Sequence, residues 1–338
     1  MLPPLSYAQR FEDFHLWRAL GDVPNGFYID VGAGHPVYDN VSFVFYLAGW
    51  RGITVEPNPA LAALGRAVRP RDHLYEGLCG ATSGEATLYL QHEFHGLSTT
   101  IAEHAQAAEK EVNRSAEAVT LPMTTLAALC EQHTPGSFEF LKVDVEGAEG
   151  DVLRGADLSR FRPRIIVVEA IKPLTLAPAW GEWEPLLARH GYRYIWDDEL
   201  NRYYIAEEAR AIAPRLTEGP KWYADGPQIG NFKGAGEDPM HPDHRLALLL
   251  AGADLAQLPL MDRGALLNIL SAGLSDPDRP ATAGDTAMIQ ERLFGESAAL
   301  QQITPVRPGE SIREVYRKVI DSDAFRAAAG RIAASYAW

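Results

Sequence analysis

A few acidic residues and two glycines are where this chain can do chemistry. The run Phe27-Tyr28-Ile29-Asp30-Val31 is apolar enough for a buried strand and leads straight into Gly32-Ala33-Gly34. Glycines directly after a strand let the backbone turn tightly and approach a ligand. Asp30, Gly32, Ala33 and Gly34 are therefore candidates to line a cofactor. A second apolar run, Ile53-Thr54-Val55, ends in Glu56-Pro57. An acid at that strand tip can accept hydrogen bonds from both hydroxyls of a ribose, which suits an adenosine-bearing cofactor. The third glycine of a dinucleotide fingerprint is missing, with Pro36 in its place. A nicotinamide-dependent oxidoreductase is thus the competing reading rather than the leading one.

The third segment, Phe140-Leu141-Lys142-Val143-Asp144-Val145-Glu146-Gly147-Ala148-Glu149, delivers Lys142, Asp144 and Glu146 at alternating positions before a helix opens. Asp144 is the first candidate for a general base, or for the group that orients an acceptor, and with Pro57 it is also placed among the cofactor-lining residues; capping the helix or pairing with Lys142 is the structural alternative. Glu146 and Lys142 are candidates for substrate contact. Glu169 ends the run Ile165-Ile166-Val167-Val168 and points to the same edge, a second catalytic candidate. His35, after the glycine loop, is either a base near the reacting group or a turn residue held by Pro36. His95 and Ser98 lie in the polar and aromatic stretch 92–100, which suits a hydroxylated ligand but also an ordinary surface loop. Asp144 and Glu169 together could hold a divalent cation such as magnesium, but no acid cluster with a dedicated spacing is visible, so no metal is assigned.

Elements to position these residues alternate along the chain. Strands are predicted at 27–31, 52–56, 73–78, 86–91, 138–143, 164–169, 192–196 and 202–205, with helices at 40–48, 59–68, 101–111, 124–132, 148–154 and 183–190. That alternation predicts an α/β fold with a mostly parallel sheet. Residues 197–201 are too short for a parallel crossover, so the last two strands pair antiparallel. Leu78, ending the third strand, is placed with the cofactor-lining residues. Glycine and proline crowd 213–242, which is expected to be a linker without helix or strand. Beyond it 245–255, 262–274 and 287–293 are predicted helical, and Ser311-Ile312-Arg313-Glu314 has capping-box spacing. Ile312, Val315, Tyr316, Val319 and Ile320 then share one helix face. The organisation expected is an N-terminal helical extension (1–25), a catalytic domain (26–212), a linker (213–242) and a small all-α C-terminal domain (243–338) that serves packing or protein contact, a second copy of the chain included.

Composition narrows the partners. The chain has 338 residues, 46% hydrophobic and 22% charged, with a formal net charge of −14. A surface this acidic repels nucleic acid and anionic membranes. No apolar run approaches the roughly twenty residues that span a bilayer. Charged residues interrupt the first twenty positions, unlike a secretory leader. Cys79 and Cys130 show no metal or disulfide spacing, and a reducing cytoplasm is the expected location.

Taken together, the Asp30 to Ala33 loop, Glu56-Pro57, Lys142 to Glu149 and Glu169 resemble, in order, the motifs of the FkbM family of S-adenosylmethionine-dependent methyltransferases. Gly49-Trp50-Arg51-Gly52 and His35-Pro36 look like one branch of it. The resemblance spans about residues 26–206. It departs at Gly34, where many members have Asn, and at Thr125-Leu126-Ala127, where an acid is usual at the third position. It implies a Rossmann-like fold, S-adenosylmethionine as cofactor, and O-methylation of a small or sugar-like acceptor in polysaccharide or secondary-metabolite synthesis. A non-catalytic binding or scaffold protein is the remaining alternative.

Overall fold

The computed structural model describes residues 3–92, 94–134, 136–175, 177–217, 226–272, 274–295 and 306–337, apart from the side chain of His95. The chain divides into two compact units, one of residues 1–35, 39–62 and 71–227, the other of residues 36–38, 63–70 and 228–338.

The strands all fall in the first unit: β1 (Phe27–Val31), β2 (Arg51–Val55), β3 (His73–Tyr75), β4 (Leu78–Cys79), β5 (Gly84–Leu90), β6 (Glu117–Thr124), β7 (Ser137–Val143), β8 (Arg162–Glu169), β9 (Tyr192–Asp197) and β10 (Asn201–Ala206). Seven of them form one sheet in the order β3-β2-β1-β7-β8-β10-β9, parallel except for β10, which runs against both neighbours. This is the Rossmann-like α/β fold with one antiparallel strand that the sequence predicts. The interior strand β8 carries Ile165 to Val168, all fully buried, as a strand covered on both faces must. Edge strand β9 is exposed at Arg193 and Tyr194. The β9–β10 hairpin closes because Asp198 Oδ1 accepts the backbone N–H groups of Leu200 and Asn201, an Asx-type turn.

Register is pinned by size at Gly52. It pairs with Tyr28 across β1 and β2, and a Cβ there would lie 2.3 Å from the tyrosine ring. Phe140 of β7 lies against Tyr28, Phe45 and Trp50 in the core. Its loss to alanine should cost about 3–5 kcal/mol.

A second sheet has the order β4-β6-β5. The sequence reading runs a single strand through 73–78; the chain instead leaves the large sheet after Tyr75 and enters the small one at Leu78. The backbone at Gly77 passes so close to Pro122 O that a Cβ would lie 2.6 Å from it. β6 was not expected, because Pro122 speaks against a strand. Here β4 pairs only with Met123 and Thr124, so at Pro122 that side of β6 has no ladder to break.

Helices of the first unit are α1 (Glu12–Leu20), α2 (Phe43–Leu47), α3 (Pro59–Val68, of which residues 63–68 belong to the second unit), α4 (Ala102–Val112), α5 (Leu126–His133), α6 (Glu149–Arg154), α7 (Glu184–Arg189) and α8 (Ala213–Thr217). α1, expected as an extension, and α8, expected as linker, pack on one another. Arg215 Nε donates to Arg18 O and Leu216 is fully buried. α8 forms because Pro214 sits in its first turn, where a missing N–H breaks no bond, and the next breaker is Gly219.

The second unit holds α9 (His244–Leu249), α10 (Arg263–Ser271), α11 (Ala283–Phe294), α12 (Ile312–Ile320) and α13 (Asp323–Ala334). The α12 face expected from spacing, Ile312, Val315, Tyr316, Val319 and Ile320, is buried, and the Ser311–Glu314 capping box is formed. A second box, Thr282–Asp285, starts α11 four residues earlier than apolar spacing suggests. α13 was missed because alanines carry most of its buried face. Arg331 of α13 grips Asp243 through two hydrogen bonds of 2.6 and 2.7 Å, with both side chains nearly buried. Among the described residues no helix is long and apolar enough to cross a membrane.

Candidate active site

The parallel strands β2, β1, β7 and β8 are neighbours and end at one edge. β1 has β2 on one side and β7 on the other, so the chain order reverses there, the place where open α/β sheets bind ligands. The glycine loop sits at this point. Gly32 and Gly34 both have left-handed backbone, with φ of 77° and 60°. The amides of Gly32 and Ala33 donate to Val55 O, and the amide of Asp144 donates to Val31 O. Glu56 closes the loop from the β2 side: its Oε2 accepts the Gly34 N–H at 2.7 Å and its Oε1 the Asn58 N–H at 2.7 Å. Burial pushes the Glu56 carboxyl up to about 7, with the two backbone N–H bonds pulling it down and Asp30 adding to the rise.

Asp144 follows β7 directly. Its Oδ2 accepts a hydrogen bond from Lys142 Nζ at 2.7 Å. Burial works against the Lys142 charge, yet the carboxylates of Asp144, Glu12 and Asp30 outweigh it and hold the ammonium above the usual lysine range. Glu146 and Glu169 lie close to Asp144, and one carboxylate oxygen from each of the three falls within 4.8 Å of the others. Burial raises the Glu169 carboxyl to about 11, with Asp144, Glu146 and Glu149 adding to it and Lys142 opposing. Burial likewise holds Glu146 well above the carboxylate range, with Asp144 and Glu149 contributing. Glu149 shapes the turn: its Oε1 accepts from the amides of Val145 and Gly147.

Residues 30–194 match the family described as methyltransferase FkbM domain. The chain carries an FkbM methyltransferase domain. Neither the curated proteins nor the solved structures gave a match.

Within the FkbM domain, most residues named from sequence gather at the one edge: Gly32, Ala33, Gly34, Glu56 and Pro57 on the β1–β2 side, Lys142, Asp144, Glu146 and Glu169 on the β7–β8 side. Several have structural partners of their own. Asp30 is buried and accepts the Ser42 hydroxyl at 2.5 Å, an anchor for the segment after the loop. His35 is buried too, and its carbonyl accepts from Asn40 Nδ2, so its backbone helps to hold the loop's shape. Leu78 packs with Leu88 and Leu90 in the small sheet, because β4 lies outside the large sheet. Lys142 is a buried partner of Asp144 rather than an open substrate contact. Ser98 Oγ accepts the Gln91 N–H and so tethers its loop to β5. The His95 side chain lies outside those described.

The loop reaches the acids through Thr99, whose Oγ1 donates to Glu146 O at 2.8 Å. Thr99 belongs to the stretch 92–100 singled out from sequence, whereas Glu12, the α1 acid whose charge acts on Lys142 and which accepts from Asn201 Nδ2, has no local signal. Nor does a local signal mark Asp39, whose carboxyl rises to about 6 through burial of the group and the charge of Asp144. No local pattern announces Glu12 or Asp39, since each meets its partner only through the tertiary fold.

Proposed function

We propose that this FkbM methyltransferase uses S-adenosylmethionine and transfers its methyl group to a hydroxyl oxygen of a small-molecule or sugar-like acceptor. The observation that carries the reading is the bond between Gly34 N–H and Glu56 Oε2 across the β1–β2 edge. It joins a backbone that can approach a ligand to an acid that can accept hydroxyl hydrogens. Each Glu56 oxygen accepts one hydrogen bond from the chain and has a second acceptor site for a ribose hydroxyl.

In the transfer, the acceptor oxygen attacks the methyl carbon in line with the carbon–sulfur bond. That bond breaks, its electron pair stays on sulfur, and the hydroxyl proton passes to a base. Asp144 serves as that base or orients the hydroxyl, with Lys142 holding its Oδ2. In this reading Glu146 and the loop containing His95 and Ser98 take the acceptor side, and Glu169 is a second acid beside Asp144. A role in polysaccharide or secondary-metabolite synthesis follows the family resemblance, and two buried free cysteines fit a reducing cytoplasm. The helical second unit is a surface for a protein partner or a second copy.

Calorimetric titration tests the cofactor, and methyl-labelled S-adenosylmethionine incubated with cell extract tests the acceptor. Binding of S-adenosylhomocysteine and label in an alkali-stable ether are expected. Binding of NAD with none of S-adenosylhomocysteine would overturn the reading.

A further inference from the structure

The acids at the ends of β7 and β8 are arranged for more than orientation. Asp144, Glu146 and Glu169 each offer a carboxylate oxygen, and these oxygens lie within 4.8 Å of one another. Glu169 is only 7% exposed, and its Oε2 has no hydrogen-bond partner. A buried acceptor left unmade costs about 1–3 kcal/mol, so a polar or charged group belongs against it.

The nearby donors are engaged elsewhere. Lys142 Nζ is on Asp144 Oδ2. Asn201, paired with Glu169 across β8 and β10, gives its Nδ2 to Glu12 and Asp198. The turn amides of Val145 and Gly147 go to Glu149. A cation satisfies several such oxygens at once. With all three ionised against one lysine, two negative charges remain, which a divalent ion balances as it displaces the protons that burial otherwise keeps on Glu146 and Glu169. Oxygen ligands at about 2.1–2.5 Å from one ion lie no more than about 5 Å apart, the spacing found. An all-carboxylate set favours hard ions over zinc or copper.

We propose that Asp144, Glu146 and Glu169 bind a hard divalent cation of the magnesium, manganese or calcium class. Three protein ligands leave coordination positions for water or for oxygens of the acceptor. The site does not depend on the methyl-transfer reading: it stands or falls on cation binding, whatever the acceptor and cofactor are.

The probe is Mn²⁺, titrated into the full chain after chelation and dialysis and followed by electron paramagnetic resonance. We expect one Mn²⁺ per chain, displaced by Mg²⁺ or Ca²⁺. Glu169→Gln and Glu146→Gln should each weaken it at least about tenfold, because affinity follows ligand charge. Melting temperature and S-adenosylhomocysteine affinity, measured on the same samples, should stay near wild type. Should Glu169→Gln fail to fold, Glu146→Gln decides, since Glu146 is less buried. No Mn²⁺ bound at about 1 mM, the weak end for such sites, or variants that bind as tightly as wild type, would overturn the proposal.

Discussion

A Cβ on Gly32 would stand 1.7 Å from the carbonyl oxygen of Asp144. The glycine loop and the acid after β7 therefore share one packed junction, and no side chain fits between them. Gly34 has no atom within 4 Å of such a Cβ. Two glycines that look alike in sequence thus carry different constraints. Gly32→Ala should abolish S-adenosylhomocysteine binding and lower the melting temperature sharply. Gly34→Asn should cost about 1 kcal/mol or less, the strain of a left-handed residue that Asn tolerates best. Equal behaviour of the two variants in thermal melts and titrations would contradict this geometry.

Glu56 predicts opposite pH trends for stability and for cofactor binding. In the folded chain its proton is held to about 7, against an ordinary 4.5. The stability this contributes is complete below about pH 4.5 and is lost as pH rises through about 7. The ionised carboxylate is the better acceptor for ribose hydroxyls, so cofactor affinity should rise over the same interval and level off above about pH 8. Titrations with S-adenosylhomocysteine across this range check it, and Glu56→Gln should flatten the rise. A flat profile in the wild-type protein would place the ribose elsewhere.

Asp144 should matter to transfer and little to cofactor binding. Removing a general base typically costs about 10²–10⁴ in rate. Asp144→Asn should fall in that range for methyl transfer while S-adenosylhomocysteine affinity changes less than about threefold. A variant with wild-type turnover would remove Asp144 from the chemistry.

Arg331 and Asp243 form a nearly buried bidentate pair in the second unit. Removing one partner strands the other, at about 3–5 kcal/mol. Asp243→Ala should therefore lower the denaturant midpoint of that unit strongly, and Asp243→Ala with Arg331→Leu should recover part of the loss. A single variant as stable as wild type would show the pair to be dispensable.

Much of the site was legible because its pieces are local. Asp30 to Gly34, Glu56 and Lys142 to Glu149 each join a strand to its following turn, so apolar runs ending in glycine or acid mark them. Their gathering at one edge follows from parallel strands, which all present their carboxyl ends to the same side. Leu78 packs in the small sheet because the strand that carries it switches sheets at Gly77, a matter of close approach to Pro122 that no pattern within residues 73–78 encodes.

By itself, the sequence determined the α/β class, the antiparallel last strand and the family motifs, because each rests on periodicity, turn length or a strand terminus. Tertiary structure alone decided what those residues do to one another. It brought Glu12 of α1 to bear on Lys142, hung the Thr99 loop on the carbonyl of Glu146, and drew Asp144, Glu146 and Glu169 together with a buried oxygen unpaired. Charges and hydrogen bonds act through distance in space, and residues far apart in the chain acquire that distance only when the core packs.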